Sequence, residues 1–281
     1  MKVFKYCLVL ILALSTSELL AQYRYGYFRV GVSSGTTHYL GDLDNDFTFQ
    51  FTKPGLGIDG SYRLNPIMST RIHFYRGWLK AADSLSNSEP RNRRNLSFRS
   101  PVTEFSAQLV FDFIPTERRY SYRPAYTPYV FGGIGIFSFN PQAQLNGQWY
   151  DLQPLGTEGQ YLAAIADEYP LPYRLTQFCI PMGVGTRFAL TKKLDLEIET
   201  GFRKTFTDYI DDVSGSYPNL DDLRASNPVA AILSDRIDRT LYPQGAGVVN
   251  GIRGDRTQQD WYIYSCVRVS YIIDWVKCPQ F

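Results

Sequence analysis

LDLEIETGF, residues 194–202, is the stretch whose reading decides the fold. Leu194, Leu196, Ile198 and Phe202 point one way along an extended chain, while Asp195, Glu197, Glu199 and Arg203 point the other. Successive strand side chains face opposite sides, so this period of two marks a strand with one apolar and one charged face. The pattern recurs over Tyr23–Ser33, Gly55–Leu64, Met68–Leu79, Ser100–Ile114, Tyr126–Phe139, Arg174–Leu190, Leu194–Phe206 and Trp261–Trp275. Tyr126–Phe139 is apolar on both faces and rich in glycine, so its register stays open. An even number of such segments, separated by alternately short and long spacers, predicts an all-β, eight-stranded antiparallel up-and-down transmembrane β-barrel with long extracellular loops.

The N-terminus places that barrel on an export route. Lys2 and Lys5 precede a short apolar run, Tyr6 to Leu14, and Ala21 stands before Gln22. This is the layout of a cleaved signal peptide, residues 1–21, leaving 22–281 as the barrel. The run is too short for a helix that spans a bilayer, which needs about 20 residues. Cys7 lies inside the run, well before the expected cut, and so does not suit a lipidated first residue.

Composition agrees. Mean hydropathy is -0.23, which argues against a bundle of membrane helices. Aromatics reach 15 %, with 21 Tyr and 18 Phe, as expected of girdles at two membrane interfaces. A net charge of +2 gives no sign of nucleic acid as a partner. Cys179, Cys266 and Cys278 follow the signal, an odd number with no CxxC or Cys/His metal spacing, and no cofactor or metal is expected.

The spacers set the orientation. Gly35–Lys53, Ala81–Leu96, Asn140–Tyr173 and Thr207–Asp260 are long; Asn65-Pro66, Pro115–Ala125 and Thr191–Lys193 are shorter. Barrels of this kind carry short periplasmic turns and long outer loops, so both termini are expected in the periplasm of an outer-membrane protein bathed in outer-membrane lipids. Thr157-x-x-Gln160 reads as a capping box opening a short helix, Tyr161–Ile165. Asn227-Pro228 before VAAIL reads as an N-cap and N1 proline.

Eight strands enclose a space that side chains fill. The inward set comprises Asp59, Arg63, Arg71, Glu104, Asp112, Glu197, Glu199, Arg203 and Arg268, with Arg29 beside them. Mixed signs at this density predict a crosslinked ionic plug, because unpaired charge in a dry lumen is costly. A diffusion pore is therefore disfavoured.

Several segments resemble a known family: PYVFGGIGIFSFNPQAQLNGQWYDLQPLGTEGQ (Pro128–Gln160), FRKTFTDYIDDVSGSY (Phe202–Tyr217), NLSFRSPVTEF (Asn95–Phe105) and the ending KCPQF (Lys277–Phe281). They are similar to the signatures of the PorG-like outer-membrane barrels. That resemblance implies an accessory or docking role in type IX secretion, with contact to a periplasmic ring of PorK–PorN type. On the periplasmic side Glu117, Arg118, Arg119, Arg123, Lys192 and Lys193 are then the expected partner contacts.

Two other readings stand beside this one. Ordered outer loops could grip a ligand or another membrane complex, including the barrel-assembly machinery. A lipid A-modifying enzyme would need a nucleophile and base; His38 lies near Ser33, Ser34 and Asp42 in sequence, and His73 reads as a lumen residue. No spacing supports that chemistry, so no catalytic residue is assigned. Asp208, Asp211 and Asp212 lack the spacing of an EF-hand and read as a solvated or arginine-paired turn rather than a cation site.

Overall fold

The computed structural model describes residues 26–44, 49–116, 120–162, 169–238, 240 and 251–273. The expected signal peptide, Glu117, Arg118, Arg119, the centre of the Tyr161–Ile165 helix, Cys278 and the KCPQF ending lie outside them.

Ten strands form one antiparallel sheet. They are β1 (Phe28–Leu40), β2 (Lys53–Arg63), β3 (Met68–Ala82), β4 (Ser97–Asp112), β5 (Tyr126–Phe139), β6 (Gln142–Leu145), β7 (Gln148–Asp151), β8 (Thr176–Ala189), β9 (Leu194–Thr205) and β10 (Trp261–Ile273). Eight of them make the wall, each beside its chain neighbour, with β10 returning to β1. The β3–β4 and β5–β8 ladders complete the ring, so no wall edge is left open. β6 and β7 form a hairpin that extends β4 beyond the wall. Asn146 (φ 51°) and Gly147 (φ 84°) close it, the left-handed pair a tight hairpin turn requires.

Alternation governs the wall. Outward positions are apolar and open, among them Val32, Ile58, Phe74, Phe105, Leu109, Ile134, Val184, Ile198 and Val267. Inward positions are buried and mostly polar or aromatic. Such a wall is wetted by hydrocarbon, since a face this apolar in water would drive aggregation. Among the described residues no helix is long and apolar enough to cross a membrane.

The structure differs from sequence expectation in places. β1 runs on to Leu40, through about a third of the segment read as loop: Tyr39 is buried in the lumen beside Asp211 and Asp260, and His38 on the opposite face is buried against Asp44. With both faces covered, alternation vanishes. Gly133 lies against the neighbouring strand: a Cβ there would lie 2.1 Å from the Ala107 carbonyl oxygen. Thr157 caps nothing among the described residues; its hydroxyl goes to Asp212.

Among the described residues three short α-helices decorate the loop end: α1 (Glu89–Arg94), α2 (Leu220–Ser226) and α3 (Pro228–Ser234). Asn219 caps α2 and Asn227 caps α3, each side chain accepting two backbone N–H groups. The Asn227-Pro228 reading of α3 matches the structure; α2, with its own asparagine cap, was not anticipated.

Candidate functional site

The lumen is filled from end to end. Arg71 of β3 meets Glu199 of β9 at 2.6 Å, and Arg268 of β10 reaches Glu199 at 2.8 Å and Asp59 at 2.7 Å. Glu197 gathers Arg187 at 3.1 Å, Arg268 at 3.3 Å and Arg29 at 3.5 Å. Arg203 bonds Glu104 at 3.0 Å, and Asp112 takes Arg63 together with Arg187 at 3.0 Å. Tyr129 contacts Glu197 and Glu199, and Tyr262 donates to Glu104, all at 2.9 Å. Every charged residue expected in the lumen therefore lies there, buried and ion-paired. Arg187, Arg29 and Asp195 complete the set; their places on the polar face of their strands already pointed inward.

Above the ions the lumen turns aromatic. Tyr39, Tyr75, Phe98, Phe137, Phe139, Tyr173, Tyr262 and Tyr264 share one buried cluster with Leu79 and Ile210. Tyr173 stacks between Phe139 and Tyr209, carrying the core out of the barrel and into the loops. Among the described residues, charge below and aromatics above pack the lumen.

At the turn end two arginines act as clamps. Arg63 bonds the Pro66 carbonyl and the Thr116 hydroxyl, joining the first turn to the second. Arg123 donates to the carbonyls of Thr191 and Lys192 and to the Asp195 carboxylate, joining the second turn to the third. Its guanidinium is thus committed inside the protein, and its contribution to any partner is the shape of the turn. Lys192 is exposed on that turn and Lys193 half-buried.

At the loop end all four long connections fold into one cap. Arg94 binds Asp83 of its own loop at 2.8 Å, the Asp42 carbonyl of the first loop at 3.1 Å, and the Arg253 carbonyl of the last. Glu158 accepts the backbone N–H of Ser214 and Gly215 and pairs with Arg253, each at 3.0 Å. Ala143, Leu152 and Leu233 form a small core between the β6–β7 hairpin and α3. A cap with its own core and buried ion pairs is a folded element, and structured loops of this length usually carry function.

The three aspartates of the last loop do not converge. Asp212 accepts hydroxyls from Thr157 and Tyr173 beside Arg253; Asp211 accepts from Tyr39; Asp208 bonds neither of them but lies near enough to Asp211 to feel its charge. No cluster of metal-ligand type occurs among the described residues. Burial raises the Asp212 carboxyl to about 6 despite Arg253, and the Asp208 carboxyl to about 9, with nearby Asp211 adding to the shift. Tyr39 Oη lies 2.7 Å from Asp211 and 2.6 Å from Asp260. One hydroxyl hydrogen serves one acceptor, so the second contact calls for a protonated carboxyl. Burial raises Asp211 and Asp260 well above the usual range, in keeping with that shared proton.

The conceivable Ser–His–acid arrangement is not assembled. His38 pairs with Asp44 at 3.1 Å beneath the first loop, on the face of β1 opposite Ser33. Asp42 instead accepts the Asp255 amide, and the Ser33 hydroxyl meets Tyr264 in the lumen. His73 lies in the lumen 4.0 Å from Glu104.

Closed ring, even strand number, apolar outer wall and packed interior together define a β-barrel of the outer-membrane type. The chain belongs to the family described as Domain of unknown function (DUF6089), whose model matches residues 2–235. No curated protein matches it in sequence. Among solved structures it is similar to Ail, the attachment invasion locus protein of Yersinia pestis, at 9 % identity, 89 % of this chain, 99 % of that chain and TM-score 0.42. It is similar also to Neisserial surface protein A (10 %, 87 %, 96 %, TM-score 0.41) and to OprG from Pseudomonas aeruginosa (8 %, 89 %, 96 %, TM-score 0.37). At such identities none of them transfers a function.

Proposed function

We propose that this chain is a non-conducting, non-enzymatic docking barrel of the outer membrane, an accessory of type IX secretion whose turn end faces the periplasm. The observation that carries the non-conducting part is the crosslinked lumen, which leaves the two ends as the working surfaces. The resemblance to PorG-like barrels supports the secretion role and a PorK–PorN-like ring as partner. The clamps made by Arg63 and Arg123 support docking from below, since a rigid surface loses little entropy on association. Glu117, Arg118, Arg119, Lys192 and Lys193 are the charged groups offered for contact, and Arg123 fixes the turn that carries Lys192 and Lys193. Affinity purification of the full chain in mild detergent tests this. Ring-forming periplasmic lipoproteins should co-purify, and Lys192→Glu with Lys193→Glu should weaken their recovery. Recovery of the barrel-assembly machinery alone would refute the assignment.

A second reading is favoured by the folded cap: the barrel binds a ligand or neighbouring complex through its outer loops. It requires loop deletions, and not turn substitutions, to abolish function.

A further inference from the structure

Lys80 of β3 and Arg99 of β4 are register partners, and both lie on the outer face of the sheet, half-buried. Directly opposed side chains have Cβ atoms about 5 Å apart, and like charges placed so repel. Arg236 adds a third cation to that face, donating to the hydroxyl of Ser97, the next outward residue of β4. Arg76 is exposed on β3 below Lys80, with Trp78 between them.

No carboxylate forms an ion pair with any of these four cations among the described residues. Asp151 of β7 is the one acid on the outer face of β3, β4, β6 and β7, and the Asn140 and Gln142 amides donate to it at 2.9 and 2.6 Å. Gln142 stands between Asp151 and Arg99 in the ladder. Arg99 donates its Nε–H to Gln142 at 3.0 Å and lays its guanidinium 3.5 Å from the centre of the Trp149 ring. Burial lowers the pKa of Arg236, and no carboxylate acts to restore it. Repulsion is therefore built into the face and left without an internal counter-charge.

The patch sits where the wall leaves hydrocarbon. Below Arg76 the outward residues of β3 are Phe74 and Ile72, open and apolar, while Trp78 and Trp149 suit the headgroup level. Long cationic side chains at that height extend their heads into the interface. Near the turn end the outward strand positions, among them Phe28, Tyr62, Phe111, Tyr126 and Ile273, are apolar or aromatic. An anion that satisfies converging Lys and Arg side chains needs several oxygens and more than one charge, as a phosphate has. Arg76, about 13 Å along the strand from Lys80, suits a second phosphate of the same headgroup.

We propose that the outer face of β3 and β4 binds a multiply phosphorylated lipid of the outer leaflet, one phosphate held among Lys80, Arg99 and Arg236 and another at Arg76. The choice of leaflet rests on the orientation proposed above, with the loop end outside. It does not depend on the secretion role or on what the outer loops grip.

The test uses the full chain in a neutral detergent, with retained lipid counted by native mass spectrometry. The probes are diphosphoryl lipid A, phosphatidylglycerol and phosphatidylcholine, with inorganic phosphate as competitor. Diphosphoryl lipid A should be retained, phosphatidylglycerol at least tenfold more weakly and phosphatidylcholine not at all, and inorganic phosphate should not displace the bound lipid. Lys80→Gln combined with Arg99→Gln should weaken retention at least tenfold, the loss of one or more charge-assisted hydrogen bonds. Lys204→Gln removes an outward cation beside Trp261 on the opposite side of the ring and should change nothing. Lys80→Glu separates binding from folding: facing Arg99, it should raise the thermal unfolding midpoint in lipid-free detergent while abolishing retention. Equal retention by parent and double variant, equal loss in Lys204→Gln, displacement by inorganic phosphate, or phosphatidylglycerol held as tightly would overturn the proposal. Retention in detergent is blind to orientation, so that is measured apart. Ile252→Cys, at a position 86 % exposed in the cap, should react with an impermeant maleimide on intact cells where the parent does not. Absence of that labelling would sink the orientation and the outer-leaflet assignment together, whereas absence of lipid retention would sink the site and leave the orientation intact.

Discussion

Arg71 and Glu199 meet at 2.6 Å although their strands, β3 and β9, stand on opposite sides of the eight-membered ring. Their side chains therefore span the lumen, and the barrel is braced across its diameter as well as along its ladders. Tyr262 of β10 and Glu104 of β4 make a second brace of the same kind.

Removing either partner unbalances a buried network in which Glu199 also holds Arg268. Arg71→Met or Glu199→Gln should each destabilise the barrel by about 3–5 kcal/mol. Combined, they should cost less than the sum, by a coupling of about 0.5–3 kcal/mol. Urea unfolding in lipid measures all three variants, and strict additivity would mean that the brace carries no energy.

The clamp at the turn end is a local matter. Arg123→Ala removes charged hydrogen bonds to Thr191, Lys192 and Asp195, each worth about 1.5–3 kcal/mol. The wall should persist while amides of 191–194 lose exchange protection. Unchanged protection there would show that the turn holds its shape without Arg123.

The cap should be weakened by alkali. Asp212 at about 6 and Asp208 at about 9 both titrate above the ordinary carboxyl value of 3.8, so the folded cap binds protons more tightly than the unfolded one. Stability then falls as pH rises between about 4 and 9. Hydrogen exchange of residues 207–217, corrected for intrinsic rate, should show more protection at pH 5 than at pH 9. The reverse order would contradict the raised carboxyls of Asp208 and Asp212.

Asn227→Ala tests the cap from another side. Loss of the side-chain bonds to the Val229 and Ala230 amides should cost about 0.5–2 kcal/mol, confined to α3. Exchange rates in 228–234 report it, with barrel unfolding unaffected.

Much of this was legible in the sequence, for a physical reason. A wall between lipid and an ionic lumen imposes strict alternation, so LDLEIETGF announces both faces, and Glu197, Glu199 and Arg203 could be placed before any coordinates. Legibility fails where a second layer covers the wall: over Thr37–Tyr39 both faces of β1 are buried, one by the lumen and one against Asp44, and the period of two dissolves. Within the cap, Glu158, Arg253 and Tyr217 are brought together from distant parts of the chain, and no local spacing marks their meeting. The β6–β7 hairpin is the exception, since Leu145-Asn-Gly-Gln148 carries a turn signal that could have found it.

The central claim is that the lumen is closed by its own charges. Planar-bilayer recording of the purified monomer tests it most directly. A sealed barrel gives no steady conductance across the physiological voltage range; a stable, large, ohmic current from single monomers would show that water and ions pass where Arg71 and Glu199 are held to meet.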